Sequence, residues 1–300
     1  MAADDGYNVS REKKPFRYYR NAVGRHWDPE DIDLEKDRER LAEADFDRGE
    51  EDFDFLRQGL ALFGAGEESV TEDLAPLQLV LEDIEDEMFI STQIYEEAKH
   101  TEFFDRYWRE VINPVEETLG YDVSRPNAER HFMDSYDELF DRNQRAMERL
   151  LEEDTPENRV RAHAHYHLVI EGILAQTGYY GLHNNFGPEI EDYPHLPGLV
   201  EGFSQIRSDE GRHVGYGMHR IKHHVVEDDV PIDVLDETVN ELMPLTQGIV
   251  VESTREDEPG ISRAELTEFA ARKHQERMQQ ITSADEDLPS VEELTEIETV

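Results

Sequence analysis

Cysteine is absent from the 300 residues, which excludes disulfides, thiolate zinc sites and cysteine nucleophiles. Positive charge is scarce: 30 Lys and Arg stand against 72 Asp and Glu, for a net charge of −42, and only six of the basic residues are lysines. A surface of that sign repels phosphate backbones and anionic headgroups, so nucleic-acid and membrane-surface partners are disfavoured. No apolar run approaches the ~18 residues that a membrane span requires, and Met1–Ser10 has no apolar stretch of the signal-peptide kind. The expectation is a cytoplasmic protein with no membrane span. The acids are spread along the whole chain and arginine replaces lysine. That pattern suits concentrated salt, where the Debye length shrinks to ~3 Å and self-repulsion is screened. The charge is therefore read as the mark of a halophile rather than of a partner. Hydrophobic residues make up 37% of the chain, enough for a substantial core.

Helical periodicity dominates, and no stretch alternates with period 2. Helices are expected near 34–47, 51–82, 86–112, 126–153, 157–183, 196–226, 232–250 and 263–282. Breaks are marked by Asn113-Pro114, Gly120, Asp154-Thr155-Pro156, Gly187-Pro188, Pro194 to Gly198, Pro231 and Pro259-Gly260. Thr155-Pro156 pairs a capping hydroxyl with a first-turn proline, and Asp28-Pro29 is a second candidate start. The chain reads as all-α, a four-helix bundle core with additional helices over 31–282. A polar extension precedes it (1–30), and a solvated acidic tail follows (283–300).

The first long helix carries Leu56, Leu60, Phe63, Glu67, Val70, Leu74, Leu77 and Leu81 on one stripe, with Glu67 its single charge. A carboxylate in an apolar seam costs several kcal/mol unless it is paired or bound to a metal, and no Lys or Arg shares this stripe. The next helix presents Asp86, Ile90, Gln93 or Ile94, Glu97, His100, Phe104 and Trp108. A third presents His167, Glu171, Leu174 and Gly178, flanked by Tyr166. A fourth presents Leu199, Phe203, Ile206, Glu210, His213, Gly217 and Ile221. With 44 Glu and 13 His, chance alone gives about two Glu-x-x-His pairs, and two are present, so the spacing is uninformative. The placement is informative. Both pairs and two single glutamates fall on the apolar stripes of four helices, the arrangement of carboxylate-bridged dinuclear metal sites in helix bundles. Four carboxylates neutralise two divalent cations, and each cation gains one imidazole.

The blocks Gly66-Glu67-Glu68-Ser69-Val70-Thr71, Glu96-Glu97-Ala98-Lys99-His100-Thr101-Glu102-Phe103-Phe104, Glu171-Gly172 and Asp209-Glu210-Gly211-Arg212-His213 resemble the ribonucleotide reductase small-subunit superfamily. Within it they are most similar to the ligand-binding oxidases, from about Trp27 to His224. The resemblance implies a ferritin-like fold with metal ligands Glu67, Glu97, His100, Glu171, Glu210 and His213. It implies one manganese and one iron, or two irons, and a dioxygen-activating oxidase that binds a long-chain fatty acid or similar apolar ligand. It further implies an ether cross-link between Val70 and Tyr166, and a homodimer built on the first long helix. Two alternatives stay open: a class I reductase small subunit, and a non-catalytic ferritin-like iron-binding protein. Against the reductase, Phe104 stands where its radical tyrosine would lie, and the last tyrosine of the sequence is Tyr216. Asp86, Gln93, Gln205 and Asp209 are candidates to orient the histidines. Arg207 and Arg212 are read as ion pairs near Glu210 or at the surface, and His223-His224 as compensating a helix C-terminus. His163, His165 and His167 cannot all meet one ion, because steps of two diverge by ~200° on a helix.

Overall fold

A computed structural model describes residues 9–46, 48–188, 193–254, 260–283, 288–290 and 293–294. Among these residues the structure is helical with no strand. The helices are α1 (Lys14–Gly24), α2 (Glu35–Glu43), α3 (Glu50–Leu79), α4 (Ile84–Tyr107) and α5 (Asn113–Leu119). They continue with α6 (Asp134–Glu152), α7 (Pro156–His163), α8 (Gln176–Phe186), α9 (Pro197–Glu227), α10 (Ile232–Glu252) and α11 (Arg263–Thr282). A π-helical turn, Trp108–Ile112, joins α4 to α5, and a long π-helical segment, Ala164–Ala175, joins α7 to α8. The bundle core consists of α3, α4, the continuous α7–π–α8 rod and α9. No helix among the described residues is long and apolar enough to cross a membrane.

Local chemistry sets the ends of these rods. Thr155 accepts the Asn158 amide and Pro156 opens α7, as the sequence predicts. Gly120 closes α5 with φ 75°, a left-handed position that suits glycine. Helix α9 has no side-chain cap of its own. Asp37 of α2 serves instead, accepting the amides of Gly198 and Leu199 at 2.9 and 2.7 Å and the Tyr107 hydroxyl at 3.0 Å. A carboxylate at a helix N-terminus satisfies open amides and the dipole together, and here it fixes where α9 begins.

The core falls into two apolar halves. One gathers Val70, Leu74, Phe89, Ile90, Ile173 and Ile221. The other gathers Leu56, Leu60, Phe103, Phe104, Phe203 and Ile206. Each bundle helix contributes to both, and the charged positions of the stripes lie at the level between them. Glycines on α9 set how closely it approaches its neighbours. A Cβ at Gly202 would collide with the Phe103 ring of α4, and one at Gly217 with the His167 ring of the π segment.

Several expectations are corrected. Asn113-Pro114 does not end a helix. The π turn before it already changes the hydrogen-bond pattern, so the amide missing at Pro114 costs little and the rod runs on to Leu119. Helix α6 starts at Asp134 rather than near 126, after a 3-10 turn at Glu129–His131. Pro29 opens only a 3-10 turn capped by Asp28, and α2 follows it. The segment expected to be an extension forms α1 and packs on α4 and α9, with the Tyr18 ring 5.7 Å from Phe89. Its arginines hide an amphipathic face. The tail is not wholly solvated: Leu294 is buried and lies beside Gly215 of α9. The rest of the tail beyond Ser283, apart from residues 288–290 and 293, lies outside the described residues, as do residues 1–8 and the Pro259 break. His224 is buried and bonded to Asp228 at 2.7 Å.

Replacing Gly202 by Ala must displace Phe103 or part α9 from α4. The expected loss is about 1–3 kcal/mol in chemical denaturation, and unchanged stability would show that the close approach is not needed.

Candidate metal centre

Six side chains meet between the two halves of the core. Glu67 comes from α3, Glu97 and His100 from α4, Glu171 from the π segment, and Glu210 and His213 from α9; none is more than 7% exposed. Their donor atoms form two overlapping groups, each with all atoms within 4.8 Å of one another. One is Glu67, Glu97, His100 and Glu210; the other is Glu97, Glu171, Glu210 and His213. Glu97 and Glu210 belong to both, the placement expected of bridging carboxylates.

The histidines show what the centre is built to hold. Nδ1 of His100 faces Glu67 Oε2 at 3.3 Å, Glu97 Oε2 at 3.4 Å and Glu210 Oε1 at 3.5 Å. Nδ1 of His213 faces Glu97 Oε1 at 3.1 Å, Glu171 Oε1 at 3.3 Å and Glu210 Oε2 at 3.6 Å. The opposite nitrogens are held by acids: His100 Nε2 lies 3.1 Å from Asp209 Oδ2, and His213 Nε2 lies 2.9 Å from Glu96 Oε2. An ionised carboxylate only accepts, so in a neutral imidazole the hydrogen sits on Nε2. The bare Nδ1 lone pairs then point at carboxylate oxygens, an arrangement that is repulsive without a cation. Glu97 Oε2, Glu171 Oε2, Glu210 Oε2 and His213 Nδ1 are also buried with no hydrogen-bond partner. Carboxylate and imidazole donors at this density fit two divalent first-row cations.

The outer acids cross over. Asp209 of α9 serves the histidine of α4, and Glu96 of α4 serves the histidine of α9. Arg212 bonds to both acids, at 2.5 Å from Glu96 Oε1. Asp209 Oδ2 also accepts Trp27 Nε1 and pairs with Lys99 Nζ, each at 2.8 Å. Burial opposes ionisation of Asp209, but His100, Arg212 and Lys99 hold its pKa far below the usual carboxylate range. Of the expected orienting residues, Asp209 does the work. Gln93 reaches Glu171 Oε1 at 3.2 Å rather than the imidazole of His100 or His213. Asp86 instead accepts the Tyr216 hydroxyl at 2.9 Å, and Gln205 is half-buried on α9. Glu96, Trp27 and Lys99 were missed. A signal for Glu96 existed: Glu96-Glu97-x-x-His100 and Asp209-Glu210-x-x-His213 repeat one acid-Glu-x-x-His pattern.

Tyr166 and Val70 are buried at the edge of the centre, and Tyr166 donates its hydroxyl hydrogen to Glu97 Oε1 at 2.7 Å. Both residues line an apolar cavity of about 170 Å³ that also touches Glu67, Glu97, Glu171 and Glu210. Its walls include Leu62, Phe63, Ile170, Leu174 and Leu266, and no Lys or Arg is among its lining residues.

Burial pushes the Glu67 carboxyl up to about 8 and raises Glu171 well above the ordinary value. Burial also raises Glu97, but His213 and His100 outweigh it and hold that carboxyl well below the usual range. For His100 and His213 burial disfavours the charged ring, yet the surrounding carboxylates raise both well above normal. Without cations the centre thus retains protons on groups that must lose them to ligate. Divalent-metal loading at pH 7 is expected to acidify a weakly buffered solution. Affinity should rise with pH as Glu67, near 8, and Glu171, His100 and His213 give up these protons, because protons compete with the cations until then. Loading without proton release, followed with a pH-indicator dye, would contradict this account.

Comparison with known proteins agrees with this geometry. The family model for the ribonucleotide reductase small chain matches residues 7–283. A valine-to-leucine variant of an R2-like ligand-binding oxidase, with anaerobically reconstituted Mn/Fe cofactor, superposes with a TM-score of 0.79 at 28% identity. The match covers 91% of this chain and 95% of that one. A tyrosine-to-phenylalanine variant of an R2-like ligand-binding oxidase, also reconstituted with Mn/Fe, gives a TM-score of 0.80 at 27% identity over 94% of this chain and 99% of the other. With the family model spanning nearly the whole helical body, the chain belongs to the ribonucleotide reductase small-chain family.

Proposed function

We propose that the protein is a dioxygen-dependent ligand-binding oxidase whose Glu67, Glu97, His100, Glu171, Glu210 and His213 hold one manganese and one iron, with two irons as the alternative. The observation that carries this reading is a carboxylate–imidazole cluster whose carboxylates line an apolar cavity together with Tyr166 and Val70. When bound, the reduced metals would bind dioxygen and supply it with electrons, making it an oxidant strong enough for O–H and C–H bonds. The protein's residues do the rest. Asp209 and Glu96 fix both imidazoles with Nδ1 inward, and the apolar walls exclude water. The cavity suits a long-chain fatty acid or similar ligand. With no cationic side chain in its lining, an acidic head group is left to the metals.

An ether bond between Tyr166 Oη and a Val70 side-chain carbon removes one hydrogen from each, as two protons and two electrons, with the electrons passing to dioxygen. Tyr166 is prepared for this: burial raises its pKa well above normal, so it stays protonated and holds its hydrogen against Glu97 Oε1. The reductase reading has less support. Phe104, where that reading needs a tyrosine, is buried among Phe63, Phe103 and Phe203, with its ring 5.9 Å from Phe63 and nearly parallel to it.

Intact-mass measurement after aerobic metal loading should show the loss of two hydrogens, which anaerobic loading and the Tyr166→Phe variant should not show. An unchanged mass would remove the cross-link. Glu171→Ala should lower bound metal below two per chain in elemental analysis, and full stoichiometry in that variant would refute the ligand set.

A further inference from the structure

The alternating histidines Ala162-His163-Ala164-His165-Tyr166-His167 are not explained by the metal centre. His163 and His167 are both buried, at 1% and 0% exposure, and their Nδ1 atoms approach to 3.2 Å. His167 Nε2 lies 3.2 Å from Gln93 Oε1. The Gln93 amide nitrogen lies 3.2 Å from Glu171 Oε1 and 3.3 Å from the Tyr166 hydroxyl. His165 takes no part; its Nδ1 is buried without a partner.

One charged group fixes the direction of every bond in this chain. With metal bound, as ligation requires, Glu171 is ionised and can only accept, so the Gln93 NH₂ faces it, and the same NH₂ reaches Tyr166. Gln93 Oε1 then faces His167, which must carry its hydrogen on Nε2. That leaves His167 Nδ1 bare, so His163 must carry its hydrogen on Nδ1. Burial supports the neutral rings, pushing His167 down to about 3 and His163 well below normal. The Tyr166 oxygen thus receives a hydrogen bond from Gln93 and donates its own hydrogen to Glu97 Oε1 at 2.7 Å. Space for the chain is built in on the far side, because α9 carries Gly217 where any Cβ would overlap His167. The ring of Tyr216 backs His163 at 5.9 Å.

We propose that His167, seconded by His163, is a positioning residue for Tyr166: with Glu171 on its other side, the pair holds the Gln93 amide in the orientation that donates to the phenolic oxygen and leaves that oxygen aligned for bond formation. This rests on the cross-linking reading above, and the experiment separates the two. In the full-length chain loaded with zinc, a diamagnetic and redox-inert probe, long-range ¹H–¹⁵N spectra should show His163 as the Nδ1–H tautomer and His167 as the Nε2–H tautomer. The same tautomer at both positions, or an imidazolium at either at pH 7, would overturn the proposal. After aerobic loading with manganese and iron, His167→Phe should bind the same metal but form the cross-link about tenfold more slowly. His163→Phe should slow it less, and His167→Gln, which keeps an N–H donor, should recover part of the rate. Wild-type cross-linking beside an equally fast His167→Phe variant would also overturn the proposal. No cross-link in wild type would instead sink the oxidase chemistry, while the tautomers would still decide whether the chain exists. The tautomer measurement needs no substitution, so it remains decisive if the phenylalanine variant does not fold.

Discussion

Four ionisable carboxylates stand at one level of the bundle, between two apolar layers, and the rest of the structure is arranged to make that tolerable. Removing such groups from water costs several kcal/mol each, more than mutual contacts among acids can return. Without cations these acids and the two imidazoles among them keep protons that ligation must displace. Cations resolve the conflict, and their binding energy is then available to the fold. The four rods are held together by apolar packing above and below the centre, and bound cations would tie them at its level.

The outer ring solves a second problem, that of aiming the imidazoles. Each histidine is held by an acid from the opposite helix, and a single guanidinium, Arg212, ties the two acids together. A local partner on the same helix would leave α4 and α9 free to slide past each other. The crossed arrangement makes imidazole orientation and helix register one constraint. Trp27, Lys99 and Arg212 supply hydrogen bonds and positive charge to Asp209, and Arg212 also to Glu96, without competing for the inner site.

Much of this was legible in the sequence because apolar stripes report burial, and a charge inside a stripe reports a buried charge. Glu67, Glu97, His100, Glu210 and His213 were found that way, and all are buried where the stripes put them. What escaped had a different physical origin. Trp27 and the helix at Lys14–Gly24 lie in a segment whose arginines and lysines masked its apolar face. Glu96 lies off the stripe of α4; its signal is the repeated acid-Glu-x-x-His pattern rather than periodicity, and its crossed contact with His213 shows its use. Leu294 is a lone apolar residue in an acidic stretch, with too little pattern to signal that it docks.

The π segment is the most instructive of these cases. On an α-helix, five residues advance by ~500°, so Tyr166 and Glu171 would point ~140° apart, and the sequence reading placed Tyr166 only beside the stripe. A π-helix bonds each residue to the one five positions on, which stacks that same pair on one face. Ala164–Ala175 adopts this winding through the functional level of the bundle. Tyr166 and Glu171 therefore both reach the site, with Gln93 donating to each of them. The same rod turns His167 to the other side of Gln93, where Gly217 makes room for it. One change of helical pitch lets a single helix carry an acid to the centre, a phenol to its rim and the histidine that orders them. Five-residue spacing between chemically active groups on a predicted helix is therefore a pattern worth reading alongside spacings of three and four.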